Sequence, residues 1–491
     1  MAVHKVCGIE TEYGIAVRGV AEPNPIAASS LLINAYVAEL QRRVGWDFED
    51  ESPGRDARGF AREGAAPPEV ETHLVNAVLT NGARYYVDHA HPEFSTPECA
   101  DPLEVVLYDK AGERILLRSI EAARRVLPDG QEIVIYKNNS DRKGNSYGCH
   151  ENYLMDRSVP FNRIVTHVMP HFVTRQVFTG AGKVGSEAPG ASAGEVTFQL
   201  SQRADFFEEE VGLETTLKRP IVNTRDEPHA DPQKYRRLHV IVGDANLCEV
   251  ATFLKVGTTA IVLAMIEDDF LADVDLSLRT PVAAIRAVSY DLSLSRPVEL
   301  VDGRRMTAIE IQWEYFDRAK KYVEERGLGM LGDQVGAEVL RRWEQVLSTL
   351  ETDPMALARQ LDWVAKYRLV NGYRERHGLA WDDHRLAAMD LQYHDIRPER
   401  SLFARCDTER LVSEAVVEPP RTTRAYFRGK CLQRWAGSIV AANWDSLVFD
   451  LGTDPLRRVP MMEPLRGTAA LVDKLLEGCE TPADLLDRLG T

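Results

Sequence analysis

The sequence of 491 residues has few cysteines, and their spacing suggests neither a disulfide framework nor a zinc site. The seven cysteines stand at positions 7, 99, 149, 248, 406, 431 and 479, and no two of them have CxxC spacing. The N-terminus also lacks a charged stretch followed by an apolar one, so it does not resemble a secretion signal. We therefore expect reduced thiols in a cytoplasmic protein.

Positive charge and long apolar runs are scarce as well. The formal net charge of -16 argues against general binding of nucleic acid, which needs a basic surface. The longest apolar helical stretch, near residues 253–266, is interrupted by Lys255 and Gly257, so no membrane span is expected. A phosphate-binding P-loop is also absent around Lys183, because Val184 follows it where that motif has Ser or Thr.

The length predicts one large domain and a smaller one. A strand is expected at 6–17, followed by a helix at 28–44 and a polar stretch at 46–70 that is typical of a long mobile loop. Helices are expected at 246–267, 308–326, 336–350 and 354–373. Short elements follow residue 395 or so, and we place a large domain at 1–400 and a small one at 401–491.

Four predicted strands carry paired polar residues on one side, because residues i and i+2 of a strand point the same way. The four sets are Glu10 and Glu12; Arg84, Tyr86 and Asp88; His150 and Asn152; and Arg237 and His239. If these sides line one sheet, they supply carboxylates and imidazoles for a divalent metal, and arginines for phosphates. The alternative is that each polar side faces solvent, as in many antiparallel sheets.

Several longer motifs carry a family resemblance. They are Ile9-Glu-Thr-Glu-Tyr-Gly, Leu79-Thr-Asn-Gly-Ala-Arg-Tyr-Tyr-Val-Asp, Lys137-Asn-Asn, Ser146-Tyr-Gly-Cys-His-Glu-Asn-Tyr, Leu200-Ser-Gln-Arg, Ile221-Val-Asn-Thr-Arg-Asp-Glu-Pro-His and Tyr235-Arg-Arg-Leu-His-Val-Ile-Val-Gly-Asp-Ala-Asn. The sequence resembles the enzymes of pupylation, which are the ligase and the deamidase/depupylase of the prokaryotic ubiquitin-like protein Pup. The match covers nearly the whole chain.

Two features resemble the deamidase/depupylase rather than the ligase. The polar segment 46–70 is similar to a loop that the ligase lacks. The stretch Asp88-His-Ala-His-Pro-Glu is also one residue shorter than its ligase counterpart. The Pup ligase remains the nearest alternative, followed by a small-molecule ligase of the glutamine-synthetase type and by a binding protein without activity.

The resemblance implies an α+β fold, with a glutamine-synthetase-like curved antiparallel sheet packed with helices and a small C-terminal domain. It implies Mg²⁺ and ATP, or ADP with phosphate, as cofactors. By matched position, the metal ligands are Glu10, Tyr86, Glu93 and His239, with Glu12 and His150 as further or outer ligands. The nucleotide contacts are Arg84, Thr96, Asn152, Arg237 and Trp444.

Asp88 is the catalytic residue that the resemblance implies, either as a nucleophile or as a general base. The implied reactions convert the C-terminal glutamine of Pup to glutamate and cleave the isopeptide bond between Pup and a lysine. Pup and pupylated proteins are the expected partners. Arg203 and Arg225 are weaker candidates for binding the C-terminal carboxylate of the substrate, because an arginine can hold a carboxylate through two hydrogen bonds.

Overall fold

The computed structural model describes residues 1–40, 43–49, 51–61, 74–190, 195–397, 404, 406, 409–452 and 454–490. Its strands are β1 Cys7–Glu12, β2 Gly14–Arg18, β3 Val44–Trp46, β4 Asn76–Val78, β5 Arg84–Asp88, β6 His91–Ser95, β7 Glu132–Tyr136, β8 Cys149–Asp156, β9 Lys183–Val184, β10 Phe198–Gln199, β11 Phe207–Gly212, β12 Arg219–Asn223, β13 Tyr235–Val240, β14 Val298–Glu299, β15 Arg305–Met306, β16 Ile439–Ala442, β17 Ser446–Phe449 and β18 Arg457–Pro460.

The helices follow the same chain order. They are α1 Pro25–Glu39, α2 Pro102–Arg124, α3 Phe161–Thr174, α4 Gln176–Thr179, α5 Glu249–Glu267, α6 Pro281–Ser289, α7 Ala308–Arg326, α8 Asp333–Thr352, α9 Asp362–His377, α10 His384–Tyr393, α11 Glu409–Ala415, α12 Ala425–Trp435, α13 Ala469–Glu477 and α14 Pro482–Leu489.

Ten strands form one sheet, in the order β13-β8-β1-β6-β5-β4-β3-β16-β17-β18. The pairing of β3 with β16 is parallel, and the other eight pairings are antiparallel. Helices α1, α2 and α5 pack on this sheet. The expected α+β architecture, with a large and mainly antiparallel sheet packed with helices, is confirmed.

The apolar side of the sheet explains why the helices lie on it. Tyr85 and Phe94, from neighbouring strands, are fully buried there. Tyr85 donates a hydrogen bond to Ser119 of α2 and has its ring centroid 6.1 Å from that of Tyr36 in α1. The Phe94 ring lies so close to Gly112 of α2 that a Cβ at this position would be 2.4 Å from it. This close packing leaves the opposite side of the same strands for polar residues.

The described C-terminal strands continue the main sheet, because β16 pairs with β3. A second hydrophobic cluster includes Trp46 and Val78 from the N-terminal part, together with Phe427 and Leu447 from the C-terminal part. The division into 1–400 and 401–491 stays a prediction. Of the polar segment 46–70, residues 46–49 and 51–61 are described, and residues 50 and 62–70 lie outside the described residues.

Four expectations on single elements need correction. The helix expected at 28–44 is α1, which ends at Glu39, and residue 44 already lies in strand β3. The stretch 6–17 is two strands, because the chain leaves the large sheet after Glu12 and β2 pairs with β7 elsewhere. The stretch 354–373 is a short 3-10 turn, Pro354–Leu357, followed by α9. Helix α5 is 19 residues long and is apolar enough to cross a membrane by length and composition alone, but it is a core helix buried inside the protein.

Candidate functional site

The sheet register brings the polar residues of β1 and its neighbours onto one face. Glu10 lies opposite His150 of β8 on one side and opposite Ser95 of β6 on the other. Glu12, two residues further along β1, lies opposite Glu93. Directly opposed residues in an antiparallel pair point to the same face, so these side chains meet in front of β1.

The outer strands extend this face. Tyr86 of β5 lies opposite Glu93, and Arg84 lies opposite Ser95. On the other flank, His239 of β13 lies opposite Asn152 of β8. The structure therefore brings together the four polar sets that the sequence contains, and their roles in binding and catalysis stay predictions.

Glu10, His150 and His239 form the first of two groups suited to a cation. One ligand atom from each of the three lies within 4.8 Å of the others. Carboxylate and imidazole are both donors to divalent metals. The rings of His150 and His239 have their centroids 5.1 Å apart.

The hydrogen bonds of His239 leave one ring nitrogen available. Nδ1 is 3.0 Å from Asn152 Oδ1, which can only accept, so Nδ1 carries the proton. Arg237 Nη1 is also 3.3 Å from Nδ1, but its nearer acceptor is Asn152 Oδ1 at 2.7 Å. Nε2 is buried and has no hydrogen-bond partner among the described residues. Burial and the Arg237 charge hold the pKa of His239 well below its usual range, so the ring is neutral and Nε2 has a lone pair for a metal.

Glu12, Asp88 and Glu93 form the second group, also with ligand atoms within 4.8 Å of one another. Burial, and then the charges of Asp88 and Glu12, raise the pKa of Glu93 well above its usual range. Over the described ranges, no lysine or arginine lies within 4.0 Å of these three carboxylates. The donor set thus has an excess of negative charge that a divalent cation would balance.

Asp88 is positioned by a tight hairpin. It closes the turn between β5 and β6 opposite His91, and only residues 89 and 90 lie between them. His89 in that turn has φ of 51°, in the left-handed region that a two-residue hairpin requires. His89 Nδ1 lies 2.9 Å from Asp88 Oδ2. Burial alone would raise the pKa of Asp88, but this contact with His89 lowers it, so the carboxylate is ionised near neutral pH.

Arginines surround the acidic groups. Arg237 lies 3.8 Å from Glu10 and donates through Nε to the Glu227 carbonyl. The Arg84 guanidinium lies between the rings of Trp46 and Tyr86, 4.0 and 3.9 Å from their centroids. Arg225 Nε is buried without a hydrogen-bond partner in the described part of the chain. Unsatisfied guanidinium groups beside a carboxylate cluster suit a phosphate chain with its metal.

A cavity opens beside the first group. Four of the five predicted nucleotide contacts line it, namely Thr96, Asn152, Arg237 and Trp444. Its walls include Val6, Leu154, Pro97 and Pro464. Arg84, the fifth predicted contact, does not line this cavity. It is connected to it through Trp46, whose ring contacts the Arg84 guanidinium and packs edge-on against Trp444 of the cavity wall, with the two ring centroids 5.1 Å apart.

The two arginines proposed for the substrate lie in different places. The pKa of His239 reflects a nearby Arg225, so Arg225 belongs to the flank with Arg237. Arg203 is fully buried and donates through Nη1 to the carbonyls of Ile241 and Gly243. Burial lowers the pKa of Arg203, and the charge of Glu12 partly offsets this.

Sequence reasoning missed three residues of the site. Asn76 accepts a hydrogen bond from Arg84 Nε, at 2.9 Å. The Glu227 carboxylate accepts a hydrogen bond from the backbone N–H of Ser52 and lies 3.7 Å from the Arg237 guanidinium. Trp46 contributes the ring beneath Arg84. Glu227 belongs to the motif that begins at Ile221, so the family resemblance could have indicated it. Asn76 and Trp46 lie in three-residue strands that are too short to show an alternation of polar and apolar residues.

Comparison with known families decides the relationship. Residues 5–448 match the family described as Pup-ligase protein. The chain belongs to this family. It is 58% identical to a protein of Acidothermus cellulolyticus named depupylase, over 99% of both chains. It is 49% identical to a protein of Mycobacterium tuberculosis named Pup deamidase/depupylase, over 99% of both chains.

Solved structures of family members have the same fold. The complex of Pup with its ligase PafA matches with a TM-score of 0.81 and 34% identity, over 99% of this chain and 94% of that one. The Pup ligase PafA in complex with ADP matches with a TM-score of 0.73 and 37% identity, over 82% of this chain and 89% of that one.

Proposed function

We propose that this protein is a nucleotide- and magnesium-dependent amidohydrolase that acts on Pup. It converts the C-terminal glutamine of Pup to glutamate and cleaves the isopeptide bond that joins Pup to a lysine. The observation that carries the proposal is the pair of cation-binding groups on one sheet face, with Asp88 in the second of them. Full-length relatives named depupylase and Pup deamidase/depupylase support the choice of substrate.

The cavity beside Glu10 is the proposed nucleotide site. Its apolar walls suit a purine base, and Arg237 in its lining suits phosphates. A family member has been solved with ADP, which supports ATP, or ADP with phosphate, as the ligand. Thr96, Asn152, Arg84 and Trp444 are proposed to contribute to this site, with Arg225 close to the phosphates.

Magnesium is proposed to be held by Glu10, Tyr86, Glu93 and His239, with Glu12 and His150 as further or outer ligands. The unpartnered His239 Nε2 and the crowded carboxylates fit a divalent cation. When bound, the metal would supply positive charge to the phosphates and to the carbonyl oxygen under attack.

Asp88 is the proposed catalytic residue. As a nucleophile, its carboxylate oxygen attacks the side-chain carbonyl carbon, the C–N bond breaks, and the amine leaves with a proton taken from the water molecule that next attacks the anhydride. Water then hydrolyses the anhydride and restores Asp88. As a general base, Asp88 instead takes a proton from the attacking water. Its ionised state and its place at the end of a short hairpin suit either role.

Ammonia release distinguishes this activity from that of the ligase. Purified protein with Mg²⁺ and ATP is incubated with Pup ending in glutamine, and ammonia and Pup mass are measured. We expect one ammonia for each Pup and a mass gain of about one dalton, without stoichiometric release of phosphate, because amide hydrolysis is downhill and needs no nucleotide cleavage. Ligation of Pup ending in glutamate to a lysine, without ammonia release, would instead assign the chain to the ligase.

A further inference from the structure

Two buried arginines near the site have no carboxylate at ion-pair distance among the described residues, and the charges of Glu12 and Asp244 only partly offset the burial of Arg203. Elsewhere buried arginines meet carboxylates, as Arg175 meets Glu151 at 2.6 Å. Arg203 is fully buried and Arg219 is 6% exposed. Neither guanidinium group has a carboxylate oxygen within 4.0 Å in the described ranges. Their low exposure, 0% for Arg203 and 6% for Arg219, also leaves little water to solvate the two charges. A buried charge without a partner is costly, so such a pair indicates a ligand that is itself an anion.

The two guanidinium groups converge on one residue. Arg203 Nε lies 3.2 Å from the hydroxyl of Ser146, and Arg219 Nη2 donates to the Ser146 carbonyl at 2.9 Å. Arg219 Nε is bonded to the carbonyl of Thr215 at 2.8 Å. These bonds orient both groups but neutralise neither, because each acceptor is uncharged.

Each arginine retains donors for a ligand. Arg203 Nη2 is buried and has no hydrogen-bond partner among the described residues. Arg219 Nη1 forms no hydrogen bond to any residue in the described ranges. The two charges also act on each other: burial, and then the nearby Arg203, lower the pKa of Arg219 to about 9. An anion between them would be favoured by both charges.

The pair lies at the Glu12 end of the acidic groups. From Ser146 the chain passes through Tyr147, whose ring lies 4.1 Å from that of His91. It continues to Gly148, whose carbonyl accepts the Glu12 amide at 2.9 Å. The proposed nucleotide cavity, in contrast, is lined by Arg237 and Trp444 and by neither of these two arginines. An anion at Arg203 and Arg219 would therefore lie outside the cavity proposed for the nucleotide.

We propose that Arg219, together with Arg203, binds the α-carboxylate of the C-terminal residue of the peptide substrate. This inference rests on the proposed function. The residue whose side-chain amide is cleaved carries its α-carboxylate only three carbons away from the reacting carbonyl. Holding that carboxylate at the Glu12 end would present the carbonyl to Asp88 and would select a C-terminal residue over an internal one.

Capping the substrate tests the site. Pup ending in glutamine is compared with the same Pup whose α-carboxyl is an N-methylamide, and conversion of the side-chain amide is followed by mass spectrometry. For the unaltered protein we expect kcat/KM to fall on the order of 10- to 100-fold on capping, as for loss of a charged hydrogen-bond partner. Arg219→Met should lose a similar factor on the free substrate and should no longer respond to capping.

Arg236→Met is the matched control. Arg236 is also buried and donates a hydrogen bond to a backbone carbonyl, that of Val159. It points away from the site, because its neighbour in β13, Arg237, points toward the site. This variant should keep the full response to capping. Arg219→Lys, which retains the charge, should recover part of the response and serves as the test variant if Arg219→Met does not fold.

Three results separate the outcomes. Equal cleavage of free and capped substrate by the unaltered protein would overturn the carboxylate site while leaving the proposed function intact. An Arg219→Met variant that is slower but still responds to capping like the unaltered protein would reduce Arg219 to a structural residue. Failure to cleave even the free substrate would instead refute the proposed function.

Discussion

Glu93 and Glu98 lie five residues apart in the same stretch of chain, and both are largely or fully buried, yet they meet opposite surroundings. Glu93 faces other carboxylates, and burial together with Asp88 and Glu12 raises its pKa well above the usual range. Burial alone would also raise the pKa of Glu98, but Arg428 and Arg424 lower it to about 2. Glu98 is bonded to Arg424 Nε at 2.7 Å and to Arg428.

The difference separates a carboxylate whose charge is neutralised within the chain from one whose charge is not. Glu98 has its counter-charges within the chain and joins the segment after β6 to α12 of the C-terminal part. Glu93 lacks such a partner among the described residues and sits in a group that fits a cation. Loss of one partner of a buried ion pair such as that of Glu98 leaves a charge unpaired and is costly, whereas a buried carboxylate group like that of Glu93 can have its charge balanced by a bound cation.

The largest expected effect is in the acidic group itself. Asp88→Asn should lower kcat for glutamine deamidation by about 10³-fold or more, because the amide neither attacks a carbonyl nor accepts a proton from water. Binding of Mg²⁺ and ATP, measured by calorimetry, should change little, since Glu10 and His239 remain. If the variant keeps its turnover, or if it no longer binds nucleotide, Asp88 is a structural or metal-binding residue rather than a catalytic one.

Replacement of Glu98 should lower stability, and because Glu98 also lines the cavity proposed for the nucleotide, nucleotide binding is measured separately. Glu98→Gln leaves Arg424 and Arg428 buried without their counter-charge, and we expect the free energy of unfolding to fall by about 3 kcal/mol, as for other broken buried pairs. Thermal and urea denaturation measure this. Glu463→Gln, which breaks the exposed pair with Lys234, is the control and should shift Tm little.

The pH dependence sharpens this prediction. The folded pKa of Glu98, about 2, lies below the unfolded value of 4.5. Its stabilisation is therefore fully present above pH 4.5 and is lost as the pH falls through 2. The difference in stability between the unaltered protein and Glu98→Gln should be constant near neutral pH and should shrink below 4.5. A difference independent of pH down to 2 would contradict the ionised pair.

A smaller effect is expected at Glu93. Glu93→Gln removes one of the mutually repelling carboxylates, so the protein without metal should be as stable as the unaltered one or slightly more so. Its affinity for Mg²⁺ should fall by about 10- to 100-fold, a range typical of altered metal environments. Thermal shifts at increasing Mg²⁺, with ATP held constant, measure both. A variant that is destabilised and has unchanged Mg²⁺ affinity would show that Glu93, like Glu98, contributes to stability. It would contradict a cation-binding role for Glu93.

Local patterns predicted part of the site. Alternation along β5 put Arg84, Tyr86 and Asp88 on one face, and the register of β5 with β6 has this arrangement. Alternation says nothing about partners, however, and it does not show which buried carboxylates meet an arginine. The prediction of one strand over 6–17 failed for a related reason, since only the pairing with β7 shows where the chain leaves the large sheet.

The sequence by itself determined which side chains share a face of each strand and which family the motifs resemble, because alternation and long motifs are local properties of the chain. Only the tertiary structure decided which buried charges are neutralised. Glu98 meets arginines 326 and 330 residues away, and Arg203 and Arg219 converge on Ser146, 57 and 73 residues away. Electrostatic energies of buried groups depend on distance in space and on exclusion of water, and both arise only when distant segments pack together.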